Sequence, residues 1–197
     1  MPRVDPNNPP DWRKLYDCAS THGGYLSRAE ASGVGFSDQL LGHYVRTKRL
    51  LRPRRGIYRL ALYPPGEHED LIVVWLWTDQ KGVFSHETAL ALHELSDVLP
   101  ARVHLTVPEE WRQRRLRVPP GVVLHFADIG QRERTWVDVL PVTVPFRTIN
   151  DCAGDAVSPE LIGQAIDQGL TRGLFDRGAV KPALSYVRRG GSAGRGK

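Results

Sequence analysis

Cysteine, long apolar runs and lysine are all scarce in this chain, and acid is absent from one stretch of it. Only Cys18 and Cys152 are present. Two thiols do not make a disulfide framework, and each sits in an apolar-periodic stretch where it is expected to act as a small buried hydrophobe. No apolar run approaches the roughly 20 residues that span a bilayer, and the longest, residues 71–77, is about a third of that. The opening Met1-Pro2-Arg3-Val4-Asp5-Pro6 lacks an apolar core, so no secretory signal is expected and the compartment is read as a reducing cytoplasm. The lysines are Lys14, Lys48, Lys81, Lys181 and Lys197 alone, and none follows an acid pair at useful spacing. The two-carboxylate and lysine set of a metal-dependent nuclease is therefore missing.

The most informative absence is local. Residues 39–62 contain no Asp or Glu, yet hold the seven cations Arg46, Lys48, Arg49, Arg52, Arg54, Arg55 and Arg59. The whole chain carries a formal net charge of only +5, so everything outside this stretch sums to about −2. Unrelieved positive charge in one short segment is what the phosphate backbone of duplex DNA attracts. The bulk numbers are otherwise those of an ordinary globular protein, with 41% hydrophobic and 25% charged residues. A length of 197 residues allows one large domain or two small ones.

Local signals place the basic stretch on defined elements. Pro6-Asn7-Asn8-Pro9-Pro10 cannot hold a helix, so residues 1–10 read as a flexible leader. Asp11 is a good N-cap, and Trp12, Leu15, Tyr16 and Ala19 follow at helical spacing. Ser27-Arg28-Ala29-Glu30 has the capping-box spacing of a short second helix. Ser37 starts a third, with Leu40, Leu41, Tyr44 and Val45 inward. Residues 50–54 and 57–60 read as two strands joined at Arg55-Gly56, and Pro53 fits only an edge strand. Three helices followed by a hairpin is the order of a winged helix-turn-helix, predicted over residues 11–62.

Residues 63–67 read as a linker and 68–187 as a mixed α/β domain, so the fold class is α+β. Residues 69–78 suit a helix with Leu71, Val74 and Trp75 inward, although Ile72 to Trp75 would also suit a buried strand. Ser85 is expected to cap a helix. Three extended segments are predicted at 102–107, 122–126 and 137–144, then a helix begun by Pro145, another begun by Ser158-Pro159, and a last one over 176–186. The Gly-rich basic tail, 188–197, is predicted disordered.

On the third helix, Asp38, Gln39, Gly42, His43 and Arg46 lie opposite the apolar stripe. Gln and Arg make the bidentate contacts that read adenine and guanine edges, so Gln39, His43 and Arg46 are the candidate base readers. Lys48, Arg49, Arg52, Arg54 and Arg55 suit phosphates or the minor groove beside the wing, where they position more than they read. Chemistry finds weaker support. Ser85-His86-Glu87, with His93 and Glu94 beyond, invites a catalytic reading, but His86 and His93 are seven apart and complete no ligand set, so the segment reads as a helix start with its polar residues outward. Arg112 to Arg117 is a second basic cluster beside Glu109 and Glu110, readable as a solvated loop or as a further contact to DNA or a partner. Arg147 and Asp151, at i and i+4, are expected to pair with each other. No catalytic residue, cofactor or metal site is predicted.

Four ordered segments resemble a known family: Arg54-Arg55-Gly56-Ile57-Tyr58; Gly82-Val83-Phe84-Ser85-His86-Glu87-Thr88-Ala89-Leu90; His104-Leu105-Thr106-Val107-Pro108; and Val142-Thr143-Val144-Pro145-Phe146-Arg147-Thr148-Ile149-Asn150-Asp151. Together they resemble the AbiEi-type antitoxins of type IV toxin–antitoxin systems, over roughly residues 11–186. The resemblance implies a repressor whose winged helix binds inverted repeats of double-stranded DNA in its own promoter. It further implies a C-terminal domain that counters a nucleotidyltransferase-like toxin, in many cases without a stable complex. Carried onto this chain, it marks Gln39, His43, Arg46, Arg54 and Arg55 as DNA contacts; no membrane partner is expected, because no apolar run is long enough to span a bilayer. A winged-helix-targeted enzyme using His86, Glu87 and His93, or a ligand-responsive transcription factor without a toxin, are the alternatives.

Overall fold

The computed structural model describes residues 10–190, so the leader apart from Pro10 and the tail beyond Gly190 lie outside the described residues. The chain divides into two compact units, Met1–Gln80 and Lys81–Lys197.

The first unit is a winged helix. Helix α1, Trp12–Ser20, begins where the Asp11 carboxylate accepts from the backbone N–H of Arg13 and Lys14. Strand β1, Tyr25–Ser27, follows, and Ser27 and Glu30 form the expected capping box of α2, Arg28–Gly33. Ser37 caps α3, Asp38–Arg46. The wing consists of β2, Leu50–Arg54, and β3, Ile57–Leu60, closed by Gly56 at φ +81°. The sheet order is β1-β3-β2, so β2 is an edge strand, and its register breaks between Leu51 and Arg54, where Pro53 sits. A proline is tolerated at such a bulged edge because no ladder partner needs its missing N–H. Leu15, Leu26, Phe36, Leu41 and Leu50, all at most 1% exposed, fill the core. Each such burial contributes roughly 1.5–3 kcal/mol.

Two features of this unit differ from the sequence reading. Strand β1 was not predicted; three residues between two helices carry too little alternation to register as a strand. The segment after the wing is helical: α4, Glu69–Trp77, realises the helix rather than the buried strand. It goes with the first unit, tied by the Arg59–Glu69 ion pair and by a bond from Gln80 Nε2 to Glu30 Oε1 of 2.7 Å. The division thus falls after Gln80, not at residues 63–67.

The second unit is built on a mixed five-stranded sheet. Its strands are β4, Val83–Phe84; β5, Val103–Val107; β6, Val122–Phe126; β7, Arg134–Val137; and β8, Leu140–Thr143, in the order β6-β5-β4-β8-β7. The predicted extended segment 137–144 is the second arm of a hairpin that turns at Asp138, φ +50°, a conformation Asp tolerates better than most residues. Helices α5, His86–Leu92; α6, Pro145–Gly154; α7, Pro159–Thr171; and α8, Lys181–Arg188, enclose a second core around Leu90, Ile149, Cys152, Ile162 and Ile166. The last predicted helix splits into a 3-10 turn, Arg177–Val180, and α8. Cys152 is buried and free; Cys18 is free and half-buried. Among the described residues no helix is long and apolar enough to cross a membrane.

Candidate nucleic-acid interface

Leu40 and Leu41 anchor α3 to the core, and Tyr44 and Val45 pack at its edge. The opposite arc, Asp38, Gln39, His43 and Arg46, is exposed, with Gly42 half-buried between them. A Cβ on Gly42 would meet only Arg46 Nη1, at 3.6 Å. Packing therefore does not require glycine there, and what Gly42 leaves is open surface on the exposed face of α3.

That face borders a concave groove of about 640 Å³ lined by Asp38, Gly42, Val45 and Arg46 from α3, by Arg52, Arg55, Gly56 and Tyr58 from the wing, and by Arg28 from α2. Four arginines thus surround one groove. The acid on its rim, Asp38, is neutralised by Arg28, whose Nε and Nη2 each lie 2.6 Å from a different Asp38 carboxylate oxygen. Arg28 was not among the predicted site residues. It lies ten positions before Asp38, outside the acid-free stretch, and only the folded position of α2 brings it to the groove.

The predicted clamps are not equivalent. Arg52 and Arg55 line the groove, with the Arg52 guanidinium 5.8 Å from the Tyr58 ring. The Arg54 guanidinium instead lies 5.9 Å from Trp77, and Arg54 is not a groove-lining residue. Arg49 is stacked 4.3 Å from Trp12 and 5.3 Å from Tyr44, a geometry in which ring quadrupoles fix a cation. Arg59 is a structural residue. Its side chain is buried, its Nη2 donates to Glu69 Oε1 at 2.8 Å and to the carbonyl of Tyr63 at 3.1 Å, and it does not face solvent. One of the seven cations in the acid-free stretch is thus removed from any interface.

Lys48 occupies the residue just past the end of α3 at φ +57°. Its N–H donates to Val45 and that of Arg49 to Tyr44, the paired bonds of a Schellman motif. Glycine is favoured at this position, and a left-handed lysine costs roughly 1 kcal/mol. Lys48→Gly is therefore expected to raise stability by about 0.5–1 kcal/mol while weakening DNA binding through the lost cation, as read by chemical denaturation and by binding of a labelled duplex.

In the second unit, the arginine pairs are internally satisfied. Arg112 Nη2 donates to Glu109 at 2.9 Å, and Arg114 to Glu110 at 3.0 Å. Arg147 pairs with Asp151 at 2.8 Å, as expected, and also with Glu133 at 2.6 Å. Ser85, expected to cap α5 with outward polar neighbours, does not. Ser85 is fully buried, makes no capping bond, and receives the Thr106 hydroxyl at 2.8 Å; His86 is buried beside it. His93 turns elsewhere, its Nε2 2.7 Å from the Thr143 carbonyl, so His86, Glu87 and His93 do not assemble into one site.

Comparison with known proteins follows this division. Residues 13–61, which span α1 to the end of the wing, match the family described as "Transcriptional regulator, AbiEi antitoxin". The match ends there, and the three motifs from Gly82 onward lie outside it. No curated protein matches the chain. A solved structure, that of the RV2827C protein from Mycobacterium tuberculosis, has a similar fold, with a TM-score of 0.53 at 16% identity over 90% of this chain and 75% of that one. Residues 13–61, about a quarter of the chain, are thus similar to the AbiEi-antitoxin transcriptional regulators, the family that the ordered motifs resemble.

Proposed function

We propose that the protein is a DNA-binding repressor of its own operon that also acts as the antitoxin to a nucleotidyltransferase-like toxin. The observation that carries the DNA reading is the groove: Asp38, Gly42 and Arg46 of α3 face Arg52 and Arg55 of the wing across a solvent-open concavity, its acid is already paired, and Gln39 and His43 are exposed on the same helix outside the groove lining. Exposed helix residues reading base edges while wing cations hold phosphates is the division of labour such a surface supports. In this reading Gln39, His43 and Arg46 read bases, and Arg28, Lys48, Arg52 and Arg55 hold the backbone. Arg49 and Arg54 supply charge from more constrained positions. The antitoxin role rests on the family match of the first unit and on the resemblance of the later motifs. The substrate of the regulation is duplex DNA with inverted half-sites upstream of the gene itself, bound by two copies.

Footprinting of the purified chain on its own upstream region is the test. Two protected half-sites related by a dyad, spaced by about one helical turn or a multiple of it, are expected. Protection of a single unrelated site, with no repression of a reporter driven from the same region, would set the repressor reading aside.

A further inference from the structure

The second unit holds a cluster that the DNA reading does not use. His86 begins α5, and His104 and His125 lie on neighbouring parallel strands β5 and β6. The register pairs Thr106 with His125, which sets His104 and His125 on one face of the sheet, beneath the start of α5. Each histidine offers a ring nitrogen, and the three nitrogens lie within 4.8 Å of one another.

We propose that this unit binds one first-row divalent transition-metal ion of the Zn²⁺ class through His86, His104 and His125, with the Asp155 carboxylate as fourth ligand. Tetrahedral sites with bonds of about 2.0–2.2 Å hold their ligand atoms about 3.4 Å apart. The separations here bracket that value: His104 Nδ1 to His125 Nε2 is 3.0 Å, and Asp155 Oδ2 to His86 Nε2 is 3.6 Å; the same Asp155 oxygen is 3.6 Å from His125 Nδ1, the ring nitrogen that does not face His104. Contacts of 3.6 Å are too long for hydrogen bonds but are the spacing of groups that share an ion.

Neighbouring groups hold His86 and His104 by the ring nitrogen turned away from the cluster, while the His125 ring stacks on His86 with centroids 3.6 Å apart and must turn about its Cβ–Cγ bond to share an ion with it. Glu87 Oε2 lies 3.3 Å from His104 Nε2, and Ser85 Oγ lies 2.9 Å from His86 Nδ1 while receiving the Thr106 hydroxyl. A carboxylate accepts only, so the His104 proton sits on Nε2 and its Nδ1 lone pair faces the cluster. Ser85 Oγ can accept a hydrogen bond from His86 Nδ1–H, the tautomer that leaves Nε2 as the ligand. The backbone at His86 adopts φ +52°, an uncommon conformation that the packing around Ser85 holds.

Imidazole-rich donors select Zn²⁺, Cu²⁺, Ni²⁺ or Fe²⁺ over Mg²⁺ and Ca²⁺. An ion would reach the cluster through an open depression of about 370 Å³ that His86 and His125 line. Once bound, it would join the start of α5, two strands and the end of α6, so its effect falls on the stability of this unit rather than on the DNA surface.

Calorimetric titration of the chelator-treated full chain with Zn²⁺ is the test, with Co²⁺ as a visible probe of the ligand field. One equivalent is expected to bind with micromolar affinity or tighter. At a hundredfold excess over Kd it should raise the unfolding midpoint by about 5–10 °C. His125→Gln should lose the equivalent, and Glu87→Gln should weaken it about 10–100-fold. Absence of stoichiometric binding, or binding undiminished in His125→Gln, overturns the site. If His125→Gln does not fold, Asp155→Asn, at a half-exposed side chain, serves instead; weakened binding supports the site and unchanged affinity overturns it.

Discussion

Arg52→Ala/Arg55→Ala is expected to lower affinity for duplex DNA about 10–100-fold at 0.1 M salt and to reduce the slope of log affinity against log salt by about 2. The physical reason is counterion release: each phosphate neutralised frees close to one condensed cation, and two groove-lining guanidiniums account for two. Folding stability should change by no more than about 0.5 kcal/mol, because Arg55 and Arg52 are exposed and contribute little to the core. Arg54→Ala should have a smaller effect on both affinity and slope, since its guanidinium sits against Trp77 rather than in the groove. Arg46→Ala is a different lesion. If it reads a base, it relaxes sequence preference by about 1–3 kcal/mol while leaving non-specific binding nearly intact. An unchanged salt slope in the double variant would remove the groove from the interface.

Arg59→Met should produce the opposite pattern: a loss of about 2–4 kcal/mol of stability, with DNA affinity per folded molecule preserved. The guanidinium is buried at the junction of β3 and α4, with a side chain 10% exposed against a Glu69 side chain 33% exposed. Removing it takes a donor from Glu69 and from the carbonyls of Leu60, Tyr63 and Pro64, and such losses cost several kcal/mol when water cannot replace the partner. Partial exposure of Glu69 keeps the expected cost in the lower half of that range. The pair also has a pH signature. Burial alone would raise the Glu69 pKa, but bonds from Arg59, the Gly66 N–H and Tyr25 outweigh it and hold the carboxyl below its usual value of 4.5. A depressed folded-state pKa stabilises above the unfolded-state value and is lost as pH falls through the folded one. The wild type should therefore lose stability more steeply below about pH 4.5 than Arg59→Met, as measured by denaturation across pH.

These two substitutions lie within one short run of sequence, and that run shows what could and could not be read from it. Its charge, its placement on a third helix and a hairpin, and the tight turn at Gly56 were legible because each depends on local rules: caps, a 3.6-residue period and a residue free to take positive φ. The fates of individual cations were not. Arg59 and Arg55 look alike in sequence, yet one faces Glu69 ten residues on and the other faces the groove. Arg28 enters the groove only because α2 folds over the start of α3. The domain division was misplaced for the same reason: the residues at 63–67 have the composition of a linker, while the ion pair and packing that keep α4 with the winged helix are long-range. In the second unit, the ligand-like histidines come from three elements at positions 86, 104 and 125. A search for close spacing finds only His86 and His93, which fold apart. The hairpin turn at Asp138 was hidden because a single acid is the only turn signal between the apolar residues of the two arms.

The claim at the centre of this account is that the α3–wing groove binds duplex DNA specifically. Equilibrium binding of the purified chain to its own upstream region and to an unrelated duplex of equal length, each titrated with salt, tests it most directly. A steep negative salt slope is expected for both, with an affinity at least about 10³-fold tighter for the upstream duplex at physiological salt. Equal affinity for the two, or a slope near zero, would contradict it.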